Sequence, residues 1–289
     1  MNKFLIRTLS GAVYVLIVVG AIYAGRWTGN STLGTMLFAG IFLAIGIIGI
    51  YEYVHNLELK GVKSNKPMAF IAGIATYLAL AVDPLASRAF ATDTAAFLYA
   101  SVIVLSILVP VLYLTTLIIQ LWRNDNEPFT TVGHTLLPSI WIMTPLAFLN
   151  IVQGFNAGLT MMVFILIWVN DSFAYITGML LGKHKMWERH SPNKTWEGTI
   201  GGALFCIAAA VFAGPCFVPD IMIGGWAVIG LICSAAGTLG DLVESMFKRY
   251  CGVKDSGNIM PGHGGVLDRF DSILMAVPFV LLFLGIINL

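Results

Sequence analysis

MIGGWAVIGLICSAAGTLGDLVESMFKRYCGVKDSGNIMPGHGGVLDRFD, residues 222–271, decides how this chain is read. Its first part, 222–247, is an unbroken apolar run that turns polar only at Asp241 and Glu244. About 20 apolar residues in helical form cross a bilayer. The rest of the stretch, from Ser245 to Asp271, gathers Lys248, Arg249, Lys254, Asp255, His263, Asp268, Arg269 and Asp271 among five glycines, in a chain with only 11% charged residues. Carboxylates are hard oxygen ligands for Mg²⁺, and Lys and Arg neutralise phosphate oxygens. Glycines let backbone N–H groups approach an anion closely. A membrane helix therefore runs into equipment suited to a metal–polyphosphate complex.

Similar apolar runs extend over the whole chain. Nine are expected as spans: 9–25, 32–54, 67–83, 95–122, 131–152, 158–181, 198–219, 222–247 and 270–288. With 58% hydrophobic residues and a mean hydropathy of +0.86, the composition is that of an all-α, polytopic integral membrane protein without a separate soluble domain. Residues 1–157 are expected to be mainly scaffold spans, and 158–289 to carry the catalytic spans and their loops. Lys3 and Arg7 before the first run suggest a signal peptide, but no small-residue cleavage site follows Gly20, so the run is expected to stay as the first span.

Charge tests the layout. With the N-terminus cytoplasmic and nine spans, 14 of the 16 Lys and Arg residues fall on the cytoplasmic side and only Arg26 and Arg88 on the other. That is the positive-inside bias. It leaves the C-terminus outside and puts the polar motifs in the cytoplasm, where nucleotides are. The net charge of +1 says little about partners. The four cysteines form no C-x-x-C pair, which argues against a zinc or redox site. No phosphate-binding G-x-x-x-x-G-K-[ST] or nucleophile-elbow G-x-S-x-G pattern is present.

The candidate site residues each have a plainer reading. Asp241, Ser245 and Lys248 share a helical face with Glu244 beside them. A solvated helix end with a Glu244–Lys248 pair would explain the last two, but not Asp241, since a carboxylate below the interface costs about 3 kcal/mol on insertion scales and usually faces a partner, a metal or water. Asp268 and Asp271 lie three residues apart at the start of the last span, where acidic residues suit the helix dipole. The dipole accounts for either one alone, but not for both together with Arg269, the glycine loop 262–265 and Asp241. Upstream, Asn170-Asp171-Ser172 interrupts the sixth run, and a lone intramembrane Asp also suits an ion pathway. The loop from Gly182 to Gly198 contains Ser191, Asn193, Lys194, Thr195 and Glu197; topology bias covers some of its cations but not this grouping. His134 reads as a hydrogen-bonded core residue. His55 and Glu52 read as interfacial.

The segments SMFKRYCGVKDSGNIMPGHGGVLDRFD, NDSFAYITG and SPNKTWEG together resemble the signature blocks of the phosphatidate cytidylyltransferases, the CDP-diacylglycerol synthases. Asn193 stands where a second Lys is expected beside Lys194, and Met260 where Ile or Leu is commoner; neither removes a candidate ligand. The resemblance implies transfer of CMP from CTP to phosphatidic acid with Mg²⁺, releasing CDP-diacylglycerol and pyrophosphate, by a homodimer in the cell's inner membrane. On that basis Asp241, Asp268 and Asp271 are expected to hold metal. Lys248, Arg249, Asp255, His263 and Arg269 form the expected catalytic set, with the three cations neutralising phosphates. Ser191, Asn193, Lys194, Thr195, Gly264 and Gly265 are expected to bind the nucleotide or lipid phosphate, and Asp171 to orient the site. The residues alone leave open a CTP-dependent lipid kinase, which would transfer the γ-phosphate, an ion-coupled transporter using Asp171 and Asp241, or a structural membrane protein.

Overall fold

The computed structural model describes residues 3–89, 95–262 and 264–287. The helices are α1 (Lys3–Thr28), α2 (Ser31–Leu59), α3 (Lys66–Ala89), α4 (Ala95–Gln120), α5 (Pro128–Pro138), α6 (Thr144–Phe155), α7 (Ala157–Leu181), α8 (Trp196–Phe217), α9 (Ile223–Cys251) and α10 (Leu267–Ile286). A π-helical segment, Ser139–Met143, joins α5 to α6 without a break. Pro138 immediately precedes it, and extra-residue turns of this kind are one way a helix absorbs such a kink. Among the described residues, seven helical stretches are long and apolar enough to cross a membrane: Thr8–Thr28, Ser31–Leu59, Pro128–Phe155, Ala157–Leu181, Trp196–Phe217, Ile223–Cys251 and Leu267–Ile286. Shorter apolar helix is described over Lys66–Ala81 and Ile107–Gln120.

Local chemistry starts and stops these helices. Asn30 caps α2 by accepting the Leu33 N–H at 2.9 Å, and Asn156 caps α7 by accepting the Gly158 N–H at 2.7 Å. Pro128 opens α5 at the position where a missing N–H costs nothing. Gly252, at φ +76°, ends α9 in the left-handed conformation that glycine adopts freely.

The chain forms two compact units. One comprises residues 1–151 with 255–266; the other comprises 152–254 with 267–289. In the first, α1 packs on α2, α2 on α3, and α3 on α4, α5 and the π segment. A Cβ added to Gly34 would lie 2.2 Å from the Gly25 Cα, so α1 and α2 meet backbone to backbone. Tyr77 is buried and donates its hydroxyl to the Ala39 carbonyl at 2.8 Å, while Asn150 donates to the Tyr77 oxygen at 2.8 Å.

In the second unit α7, α8, α9 and α10 pack together. Small residues again set the approach: a Cβ at Gly202 would meet the Asn170 carbonyl at 2.7 Å, and one at Gly214 the Trp226 ring at 2.2 Å. Large apolar side chains such as Leu204, Phe212 and Leu282 stay 62–81% exposed. Such faces are stable only against lipid or another chain.

One element was not expected from the sequence. The polar loop between α7 and α8 contains an antiparallel hairpin, β1 (Lys185–Trp187) and β2 (Ser191–Thr195), pairing Lys185 with Thr195 and Trp187 with Ser191. Glu197, in the first turn of α8, fastens it by accepting the N–H groups of Lys183 at 3.1 Å and His184 at 3.2 Å and by pairing with the His184 ring.

Candidate active site

The second unit brings four of the sequence-derived candidates, Asp241, Asp271, Lys194 and Lys248, to one place. Gly240 is the hinge of the arrangement: a Cβ there would lie 2.4 Å from the Asp271 carbonyl, so only glycine lets α10 cross α9 at this level. The crossing sets Asp241 and Asp271 side by side. One carboxylate oxygen from each of Asp241, Glu244 and Asp271 lies within 4.8 Å of the others.

Two lysines bound the group. Lys194, at the end of β2, places Nζ 2.7 Å from Asp241 Oδ2 and donates to the Thr238 carbonyl at 3.2 Å. Lys248, one turn after Glu244, places Nζ 2.5 Å from Glu244 Oε2 and 2.6 Å from Asp268 Oδ1. The Glu244 and Asp268 side chains are only 1% and 8% exposed, so Lys248 neutralises two carboxylates away from solvent. Ser245 donates to Asp241 Oδ1 at 3.3 Å, as the shared helical face of 241, 245 and 248 suggests.

Asp171 on α7 accepts a 3.3 Å hydrogen bond from Asn170 and lies within electrostatic reach of Asp241, Lys194 and Arg269. Asp271 in turn feels Asp241, Asp171 and Lys248. Five carboxylates, Asp171, Asp241, Glu244, Asp268 and Asp271, thus face three cations, Lys194, Lys248 and Arg269. Glu244 Oε1 is buried without a hydrogen-bond donor. An unpartnered anionic oxygen at low dielectric is costly, and all the donor atoms are hard oxygens. The residues therefore fit Mg²⁺.

The remaining candidates are distributed differently. Ser191 and Asn193 lie on β2 leading to Lys194, with Asn193 exposed. Thr195 is buried, and its hydroxyl caps α8 by accepting the Gly198 N–H at 3.2 Å. Arg249 is exposed and donates to the Val253 carbonyl at 3.2 Å. Asp268 is held by Lys248 rather than grouped with Asp241 and Asp271. Asp255, Gly264 and Gly265 belong to the first unit. His263 lies outside the described residues.

Sequence reading missed two acidic residues. Glu244 was visible as an i,i+4 partner of Lys248; that pair exists, but the same residue also joins the carboxylate group. Glu52, read as interfacial, is 2% exposed and bound to the loop 255–266. A single acid inside an apolar run is the only signal the sequence offered for it.

The sequence profile of the cytidylyltransferase family matches residues 5–287. A phosphatidate cytidylyltransferase of Staphylococcus aureus (strain COL) is 53% identical over 119 residues, covering 40% of this chain and 45% of that protein. Those of Staphylococcus saprophyticus and Staphylococcus haemolyticus are 52% and 49% identical over 119 residues, again 45% of each. The matched segment thus spans about half the length of these curated relatives. With the profile matching almost end to end over a carboxylate site bordered by lysines, the chain belongs to the cytidylyltransferase family.

Proposed function

We propose that this protein transfers CMP from CTP to phosphatidic acid, giving CDP-diacylglycerol and pyrophosphate for phospholipid synthesis. The observation that carries the reading is the carboxylate group of Asp241, Glu244 and Asp271, bordered by Lys194 and Lys248, on helices apolar enough to lie in a membrane. A lipid phosphate and a soluble nucleotide have to meet at such a surface. The names of the relatives point the same way.

Phosphatidate presents its own anionic phosphate oxygen, so no activated Ser or Cys is needed. That oxygen forms a bond to the α-phosphorus of CTP. The bond from the α-phosphorus to the oxygen bridging it to the β-phosphorus breaks, and pyrophosphate leaves with the electron pair. The protein's task is to hold two anions together and to stabilise the charge on the leaving group. Asp241 and Asp271, with Glu244 or Asp268, would hold Mg²⁺, which would supply charge neutralisation to the triphosphate. Lys194, anchored on Asp241 and the Thr238 carbonyl, orients one phosphate at the edge of the carboxylates. Lys248 keeps Glu244 and Asp268 in place. Arg249 and Arg269 are the cations proposed for incoming phosphates, and Ser191 and Asn193 supply further polar contacts. Purified protein given CTP and phosphatidate is expected to release one pyrophosphate per CDP-diacylglycerol formed, and none when phosphatidate is omitted. CDP in place of pyrophosphate would overturn the reading in favour of a lipid kinase.

The finer layout is part of the proposal: nine spans, N-terminus cytoplasmic, C-terminus outside, the site facing the cytoplasm of the cell's inner membrane, 1–157 mainly scaffold, and a homodimer. Two exposed positions test it. An impermeant thiol reagent applied to intact right-side-out vesicles is expected to label Asp220→Cys at once and Lys254→Cys only after lysis. The reverse pattern would break the nine-span order.

A further inference from the structure

Glu52 holds the loop 255–266 by both ends. The residue sits on α2, 2% exposed, in an otherwise apolar run. Its Oε2 accepts the Ser256 hydroxyl at 3.0 Å and its Oε1 accepts the Val266 N–H at 2.8 Å. Ser256 and Val266 are the second and last residues of the segment that packs with the first unit. Asn56, one turn further along α2, donates to the Ser256 carbonyl at 2.8 Å.

The glycines of the loop divide into two kinds. Gly262 and Gly264 have φ of +77° and +84°, so their backbone shape requires glycine. Gly257 and Gly265 lie against Glu52 instead. A Cβ at Gly257 would sit 2.5 Å from Glu52 Oε1, and one at Gly265 would sit 2.5 and 2.6 Å from the two carboxylate oxygens. What Gly257 and Gly265 supply is space for a carboxylate at the neck of the loop. The tip is closed separately, by the Met260 N–H donating to the Gly264 carbonyl at 3.0 Å. We propose that Glu52 is a positioning residue: it clamps the neck of the 255–266 loop so that the glycine backbone at 262 and 264 is preorganised for a nucleotide phosphate, and Gly257 and Gly265 are small because the clamp enters there. This rests on the CTP-using reading given above.

The test compares full-length Glu52→Ala, Glu52→Gln and Ser256→Ala in detergent or nanodiscs. Glutamine keeps an acceptor for the Val266 N–H and a donor that the Ser256 hydroxyl can accept, so it is the conservative replacement. Glu52→Ala is expected to raise KM for CTP by about tenfold or more, with KM for phosphatidate unchanged, Ser256→Ala to raise it less, and Glu52→Gln to return within about threefold of the wild type. A merely structural lesion lowers the active fraction, which cuts kcat and leaves both KM values alone. That result, or wild-type kinetics in Glu52→Ala, overturns the proposal. The second readout needs no turnover: trypsin cleavage after the exposed Lys254 is expected to quicken in Glu52→Ala and to slow again in Glu52→Gln. Equal cleavage in all variants overturns the clamp. If the wild type makes no CDP-diacylglycerol, the proposed activity fails, and the cleavage result still decides whether Glu52 holds the loop.

Discussion

Asp271→Asn is expected to lower CTP turnover by about a thousandfold or more while the protein still inserts and purifies. The amide preserves size and shape but removes the charge that a hard cation requires. Asp271 is chosen because its position is doubly determined. The Gly240 crossing fixes its backbone beside Asp241, and its carboxylate lies in the group with Asp241 and Glu244. Asp268→Asn is the informative companion. Asp268 is held by Lys248, so its loss is expected to harm activity partly by loosening that pair. The check is a Mg²⁺ titration of turnover for both variants. Near-normal turnover of Asp271→Asn at ordinary Mg²⁺ would remove it from the metal site.

Lys248→Met is expected to produce the largest loss of stability. Its ammonium lies between Glu244 and Asp268, two carboxylates that are almost wholly buried. Methionine fills much of the same space but removes the ammonium that both acids share. Removing one partner of a buried ion pair costs about 3–5 kcal/mol, because the remaining charge is uncompensated. Thermal unfolding in detergent should show a clearly lower Tm, or the protein should fail to accumulate. Adding Glu244→Gln to Lys248→Met should recover part of the loss, since the amide is cheaper to bury than the carboxylate. An unchanged Tm in the single variant would mean that Lys248 is not balancing these acids.

Much of the helical pattern was legible because a bilayer demands long apolar runs with internally satisfied backbones. The run 222–247 corresponds to α9 and the run 131–152 to α5, the π segment and α6. The hairpin 185–195 was not legible: strands of three and five residues are too short to show a period, β2 is all polar apart from Pro192, and the clasp that holds them, Glu197, is a tertiary feature. The acids on α9 and α10 could be singled out because ionisable groups in apolar helices need a reason to be there. Which of them group together depended on where the two helices cross, and Gly240 sets that crossing through space rather than through spacing. Glu52 was passed over for the same cause. Its partners, Ser256 and Val266, lie more than two hundred positions away in the chain.

The central claim, cytidylyl transfer at the carboxylate site, is tested most directly by following phosphorus. Purified protein is given phosphatidate and CTP labelled at either the α- or the γ-phosphorus. The α label is expected to appear in the lipid product and the γ label in pyrophosphate. Asp271→Asn, run beside it, is expected to give neither. Lipid labelled only from γ-labelled CTP would contradict cytidylyl transfer and leave a kinase using the same carboxylates.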